Sequence, residues 1–377
     1  MLLGAFGDPG HAFPMLALGE RLAKRGHQVF FETWDRWREH VEAAGMSFVA
    51  APEYPVFPTH ERPLLPYQAV VRATVETRPA VATARPDVLV HDILTLAPAL
   101  AGELEAVPVA TLVPHVYPVG VPGLPPYAFG ARLPRTSLGR RSWSMLDPLL
   151  QAGLRRGRDE LNETRGRLGL PPVARLHGGL SERLVLVGTF PQLEYPRAWP
   201  PHVQVVGPLL WEPPYRDVQP PPGEGPLVLV APTTAQDPQH RLLRAAVAGL
   251  GDEPVRVLAT WNRRALDRPL PVPANARLVE WLSYSRTMPR CALVVCHAGH
   301  GTLVRALASG TPVLAVPQAG DMAENAARAD WAHVGVRLPW RLLSPAALRL
   351  AVRRALAEAE LAVRAQELAG WAAAHDG

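Results

Sequence analysis

Short apolar runs recur along the chain, each ending in a glycine-containing or polar break and followed by a stretch with apolar residues every three or four positions. The first fifty residues follow this pattern: strand LLGAF, loop GDPGH, a helix from about Pro14 to Arg25 closed by Gly26, then strand HQVFFET. Pro14 suits a first helical turn, where its missing N–H is not needed. A second helix around Trp37 to Ala44 stops at Gly45, and MSFVAAP reads as a short strand. DVLVHDI, from Asp87 to Ile93, is a bare apolar strand with a polar carboxyl end; a helix through Glu103 and the strand PVATLVP follow it. Proline and glycine crowd the stretch from His115 to Arg135, which predicts an irregular loop over a binding site, whereas Trp143 to Leu168 reads as helical.

After strand LVLVG and the segment VQVVGPLLWEPP, the run PPYRDVQPPPGEGP is too proline-dense for regular structure and predicts a stiff, extended connection. A second alternation begins at once: strand LVLVA, a helix near Gln239 to Ala248, strands VRVLAT, ARLVEW and ALVVCH, a helix from about Thr302 to Ser309, strand PVLAVP, and helices around Glu324 to Ala332 and Ala346 to Ala357. The expected fold class is therefore α/β, with two Rossmann-like domains and a cleft between them. The boundaries are an N-terminal domain over 1–212, a linker over 213–226, a C-terminal domain over 227–357, and a terminal helix over 358–377 packing back toward the N-terminal domain. Ligands in open parallel sheets gather at the carboxyl ends of strands, so the chemistry belongs in the loops just after them.

Composition narrows the partners. A chain of 377 residues with 48% hydrophobic and 19% charged residues can fill two cores. The net charge of +5 is spread without a basic run longer than a pair such as Arg140-Arg141 or Arg353-Arg354, which argues against nucleic acid and membrane partners. Lys24 is the only lysine, a mark of codon bias in a GC-rich bacterial genome. Cys291 and Cys296 lie in one apolar run, and a separation of five puts them on opposite faces of a strand, so no disulfide between them is expected. The N-terminal segment meets Asp8 before any basic residue, and no uncharged apolar stretch is long enough to span a bilayer, so a soluble cytoplasmic protein is expected.

The run ALVVCHAGHGT is a buried strand opening into a loop with Gly299 and Gly301 and then a helix start. Glycines let the backbone approach a ligand, and free helix N–H groups with the helix dipole favour an anion. Thr302 can add a hydroxyl donor, and His297 can bond or pair with a phosphate oxygen. The alternative is a tight turn and nothing more. Neither a Walker lysine nor a full G-x-G-x-x-G is present, which disfavours ATPase and NAD readings; for the latter only Glu32 could serve as the acidic ribose partner.

The segment VCHAGHGTLVRALASGTPVLAVPQAGDMAENAARA resembles the donor-binding signature of the GT-B glycosyltransferases of family 1, as found in bacterial natural-product enzymes. GDPGHAFPMLALGERLAKRGHQVFFET at the start and FPQLEYPRAWPPHVQVVGPLLW before the linker are similar to the same family. The resemblance implies an inverting, metal-independent transfer from a UDP- or TDP-sugar to a hydroxyl of a small hydrophobic acceptor of phenolic, flavonoid or macrolide type, with no cofactor. It maps the general base onto His11, held by Asp92 in a His–Asp dyad, and a His of ordinary pKa suits that role at neutral pH. It implies Trp281 under the nucleobase, the Leu282 backbone beside it, Thr233 at the phosphates despite Pro232 in place of a usual glycine, and Asp321 on the sugar hydroxyls. Two positions depart from the family pattern: Met322 stands for a frequent glutamine, and Arg305 for a frequent glutamate at the nucleotide ribose. Arg305 could pair with a phosphate instead.

The acceptor is expected against an aromatic-rich wall of Tyr54, Phe57, Tyr67, His115, Tyr117 and Phe129, with Tyr127 and Trp143 nearby. A monomer or homodimer is expected. Two other readings remain open on the sequence: a nucleotide-sugar-binding protein without turnover, and a sugar-nucleotide 2-epimerase of the same two-domain shape.

Overall fold

The computed structural model describes residues 1–52, 66–215, 217–233, 237–263, 265–318 and 320–375, with the side chains of residues 66 and 67 left aside. The N-terminal half runs β1 (Leu2–Gly4), α1 (Pro9–Lys24), β2 (Phe30–Thr33), α2 (Arg38–Ala43), β3 (Ser47–Ala50), α3 (Pro66–Ala84), β4 (Leu89–Asp92), α4 (Leu96–Leu104), β5 (Val109–Val113), α5 (Ser137–Ser144), α6 (Asp147–Arg167), β6 (Val185–Val187) and β7 (Val203–Val205). Its seven strands pair in the order β3-β2-β1-β4-β5-β6-β7, each pair parallel. The C-terminal half runs β8 (Leu227–Ala231), α7 (Arg241–Leu250), β9 (Arg256–Thr260), β10 (Ala276–Val279), α8 (Tyr284–Thr287), β11 (Leu293–Cys296), α9 (His300–Ala308), β12 (Val313–Ala315), α10 (Asp321–Trp331), β13 (Gly335–Arg337), α11 (Pro345–Ala357) and α12 (Ala359–Ala374). Six parallel strands follow the order β10-β9-β8-β11-β12-β13.

Both sheets are Rossmann-like, the two-domain arrangement that the apolar runs predict. LVLVA and LVVC are buried at every position because helices cover both sheet faces, so alternation disappears from their sequence. Residues 213–215 and 217–226 carry no helix or strand, as the prolines require. Helix α12 packs on α9, and its Trp371 meets Phe190 of the N-terminal half edge to face at 5.8 Å.

Three local expectations change. Helix α1 starts at Pro9, not Pro14, because Pro9 takes the first helical position and Pro14 is accommodated inside the helix. The stretch before Ala84, read only as acceptor wall, contains the helix α3, which packs on α4. Helices α9 and α10 begin earlier than read, at His300 and Asp321, each directly after a glycine. Cys291 and Cys296 are both free, and only Cys296 lies within the strand.

Candidate functional site

The carboxyl ends of β1, β8, β9, β10 and β11 lead into one cavity of about 220 Å³ between the two halves. From the N-terminal half, Pro9, Gly10, Phe13 and Pro14 of α1 line it; from the C-terminal half come Pro232, Thr233, Trp281, Leu282, Thr302 and Met322. The segment Leu209 to Pro213 closes one side. Trp211 is fixed there by edge-to-face contacts with Phe13 at 5.0 Å and Trp37 at 6.4 Å.

The floor is the turn between β11 and α9. Ala298 takes φ +61°, a left-handed conformation that costs a non-glycine residue roughly 1–2 kcal/mol, and Gly299 caps the helix. The first intrahelical bond runs from the Leu303 N–H to the Gly299 carbonyl, so the N–H groups of His300, Gly301 and Thr302 belong to the unpaired first turn. A Cβ added at Gly299 or Gly301 would meet nothing within 4 Å. Their lack of a side chain therefore serves open space in front of the helix, which is what an anion needs in order to reach those N–H groups.

His297 lines the cavity and is at the same time held by the protein. Its ring is almost wholly buried, packs at 5.5 Å on Trp340, and accepts the Thr233 N–H on Nδ1 at 2.9 Å. That bond leaves the proton on Nε2, 3.6 Å from the Asp237 carboxylate, whose oxygens also cap the start of α7 through the Arg241 and Leu242 N–H groups. These bonds hold the Asp237 carboxyl below the usual carboxylate range against the opposing effect of burial. His297 thus joins the loop after β8 to the loop after β11 and sets their spacing. His300 is likewise internal: its ring contacts Asn325 and the Gly188 carbonyl, and burial lowers its pKa to about 3, so it stays neutral.

At one end of the cavity, Trp281 lies 5.3 Å from Tyr215, and the Arg263 guanidinium sits over both rings at 5.3 and 5.4 Å. The Trp281 Nε1–H is buried and has no hydrogen-bond partner among the described residues. Arg305, also at the cavity wall, is engaged by the protein: it donates to the Trp211 carbonyl at 2.6 Å and lies 3.8 Å from the Glu212 carboxylate. Glu212 in turn accepts from the Ser283 and Ser285 hydroxyls. The guanidinium is therefore spent on the interdomain segment, and the phosphate pairing expected of it is not the arrangement seen. Glu212, Tyr215, Asn262 and Tyr284 line the cavity without having been singled out in the sequence. They lie at the domain boundary and linker and in the segments after β9 and β10, where no motif marks them.

His11 stands in the first turns of α1, next to the cavity-lining Pro9 and Gly10 but not itself among the lining residues, and its Nδ1–H donates to Asp92 Oδ2 at 2.8 Å. Asp92 ends β4, fully buried, and its other oxygen accepts the Leu94 N–H at 2.9 Å, which locks the carboxylate. His91 points the other way, to Thr111 and backbone carbonyls. The dyad expected from the sequence is thus assembled from α1 and β4. Burial lowers the His11 pKa, but attraction to Asp92, the hydrogen bond to it, and the fields of Asp8 and Asp321 outweigh it, so the net shift is upward from 6.5. Asp321 opens α10 and accepts from Asn325 at 3.2 Å.

The acceptor wall is only partly assembled. His115 is half-buried, stacks on Tyr127 with centroids 5.8 Å apart, and lies close enough for its field and that of His11 to interact; burial lowers its pKa. Tyr117 is instead a core residue, buried against Trp199 and Arg197. Phe129 is exposed and meets Trp143 edge to face on the surface. Tyr54 and Phe57 lie outside the described residues, as does the side chain of Tyr67.

Comparison with known proteins agrees with this architecture. The family described as erythromycin biosynthesis protein CIII-like, C-terminal domain, matches residues 243–376. The 4'-demethylrebeccamycin synthase of Lentzea aerocolonigenes is 30% identical over 97% of this chain and 94% of its own. The O-mycaminosyltylonolide 6-deoxyallosyltransferase of Streptomyces fradiae is also 30% identical, over 98% of this chain and 93% of its own. Among solved structures, the spinosyn rhamnosyltransferase complexed with thymidine diphosphate superposes with a TM-score of 0.68 at 21% identity, covering 99% of this chain and 96% of that one. The chain belongs to the family 1 GT-B glycosyltransferases of natural-product type. Its relatives are sugar transferases of antibiotic biosynthesis, which makes glycosyl transfer to a natural-product acceptor its activity class.

Proposed function

We propose that this enzyme transfers a sugar, with inversion, from a UDP- or TDP-sugar to a hydroxyl of a small hydrophobic natural product. The observation that carries the reading is the His11–Asp92 dyad, its histidine on α1, whose Pro9 and Gly10 line the same cavity as an open helix N-terminus. With Nδ1–H committed to Asp92, the free Nε2 of His11 takes the acceptor's proton. The acceptor oxygen forms its bond to the anomeric carbon as the bond from that carbon to the diphosphate oxygen breaks, and the electron pair leaves with the nucleoside diphosphate. The unpaired N–H groups of α9 and the Thr302 hydroxyl meet that growing negative charge, and we assign its stabilisation to them without a metal.

In this reading the nucleobase end of the donor lies toward Trp281 and Tyr215, and the sugar toward Met322, with Asp321 next to it at the head of α10. Glu212 restores a carboxylate beside Arg305, where the family pattern leads one to expect a glutamate, and it is the group best placed to accept from the nucleoside's ribose. The thymidine diphosphate in the spinosyn enzyme makes TDP-sugars the first donors to try.

The test is incubation with UDP- and TDP-sugars and a panel of phenolic, flavonoid and macrolide acceptors, with and without a chelator, followed by mass analysis and assignment of the anomeric configuration. A product of inverted configuration that is insensitive to the chelator is expected. Nucleotide binding without product across the panel would favour a binding protein, and an isomerised donor without acceptor would favour an epimerase.

A further inference from the structure

We propose that the outer face of α5 and the start of α6 docks this enzyme on an anionic lipid surface. Leu138, Met145 and Leu149 are 72%, 80% and 72% exposed, and they are spaced by seven and by four residues, so they follow one side of the helical segment. The inner side is filled by the half-buried Trp143, Leu146, Leu150 and Leu154, which leaves the outer stripe without any internal partner. Large exposed side chains scattered singly need no explanation, but a row of them does.

The charge around this stripe selects its occupant. Residues 132–158 contain seven arginines against the single acid Asp147, in a protein whose whole net charge is +5. Arg132, Arg156 and Arg158 are paired with Asp330, Glu160 and Asp159. Arg135, Arg140, Arg141 and Arg155 are exposed and have no ion-pair partner among the described residues. An apolar row flanked by unpaired arginines is the pattern of a helix lying in a lipid headgroup layer. The same positive field disfavours a second copy of this chain seated on the patch. The sequence hides the feature because no basic run exceeds a pair; the helical succession of α5 and α6 sets the pairs beside the apolar stripe. Trp143 and Phe129 connect the stripe to the loop over the cleft, so a docked enzyme would take an apolar acceptor from the layer in which it dissolves.

Co-sedimentation tests this with vesicles of phosphatidylcholine alone and with roughly one-third phosphatidylglycerol, at low and high salt. Binding is expected only to the anionic vesicles and should weaken with salt. Replacing Leu138, Met145 and Leu149 together by serine should cut it at least about tenfold, and Arg140→Gln with Arg141→Gln roughly fivefold per arginine. These positions are exposed and outside the cleft, so transfer to a water-soluble acceptor without vesicles should be unchanged in every variant. That assay separates failure of docking from failure of the transferase reading. Equal binding to both vesicle types, or full binding by the serine variant, would overturn the proposal. So would concentration-dependent self-association, without vesicle binding, that the serine variant abolishes, since it would assign the stripe to a second copy.

Discussion

The imidazole of His11 works against its own burial: desolvation favours the neutral ring, and Asp92 with the fields of Asp8 and Asp321 holds the proton more strongly than desolvation releases it. A base of raised pKa is protonated, and idle, over more of the acid range, so kcat/KM should rise with pH through a limb lying above 6.5. Asp92→Asn removes the attraction and should move that limb to lower pH while cutting kcat by about 10²-fold or more; His11→Ala should cost at least ~100-fold and abolish the limb. A pH-rate profile for the three proteins checks both, and an unmoved limb in Asp92→Asn would sink the assigned coupling. Gly301 offers an independent test of the floor. A Cβ there meets no protein atom within 4 Å, so Gly301→Val should leave the thermal midpoint nearly unchanged, yet it fills the space in front of the α9 N–H groups and should raise the donor KM by at least about tenfold. At this scale the sequence points to residues that the fold brings into place, the His11–Asp92 pair and the turn with Gly299 and Gly301, because particular residue types are demanded next to a strand end. It is silent on the protein contacts of a side chain that could serve either a ligand or the protein. His297 and Arg305 have protein partners, the Thr233 N–H and Glu212, that come from distant segments and leave no local trace.

Strands and helices inherit their legibility from burial. Central strands such as β8 and β11 are buried at every position, so their apolar runs stand out, and every strand read from such a run is present, whereas the edge strands β7 and β13 go unread. Helix starts were harder, because Pro9 and Pro14 both fit a first turn by their chemistry, and only packing of α1 on β1 decides between them. Helix α3 carries Pro79 internally, so its periodicity did not stand out. Glu32, at the end of β2, shows what an element can hide: it is buried, accepts from the Thr77 hydroxyl of α3, and burial raises its pKa to about 7. The hydrogen bond from Thr77 works in the opposite direction and is the smaller effect. A carboxyl whose folded pKa exceeds its unfolded value stabilises the fold fully below the unfolded pKa, and that stability is lost as pH rises through the folded one. Between the ordinary 4.5 and about 7, the N-terminal half should therefore lose stability, by an amount of order 3 kcal/mol. Denaturant unfolding of the wild type and of Glu32→Gln at pH 5 and pH 8 measures it. The wild type should weaken at the higher pH and the variant should not; parallel behaviour would place the charge elsewhere.

The two halves are held together by ionic contacts as well as by packing. Arg328, on α10 of the C-terminal half, donates to the Leu193 carbonyl and to Glu194 of the N-terminal half, each at 2.9 Å, and to Glu324 of its own helix at 2.9 Å. All three side chains are buried, and the guanidinium also lies 4.1 Å from the Tyr195 ring. Burial raises the Glu324 pKa against the attraction of Arg328, which shows how far this carboxylate depends on its cation. Removing one member of such a group leaves uncompensated buried charge, so Arg328→Leu should destabilise by roughly 3–5 kcal/mol. Because the lost bonds cross between the halves, the effect should not be confined to stability. Asp321, at the head of the same helix, would move relative to His11, and the donor and acceptor sides of the cleft would lose their mutual register. The expected signature is a lower midpoint, a larger radius of gyration by X-ray scattering, and a kcat loss exceeding any change in nucleotide affinity, since Thr302 and Trp281 stay within one half. A variant that is less stable but unchanged in radius and kcat would show that the network serves folding only, and that the cleft is set by the linker and α12.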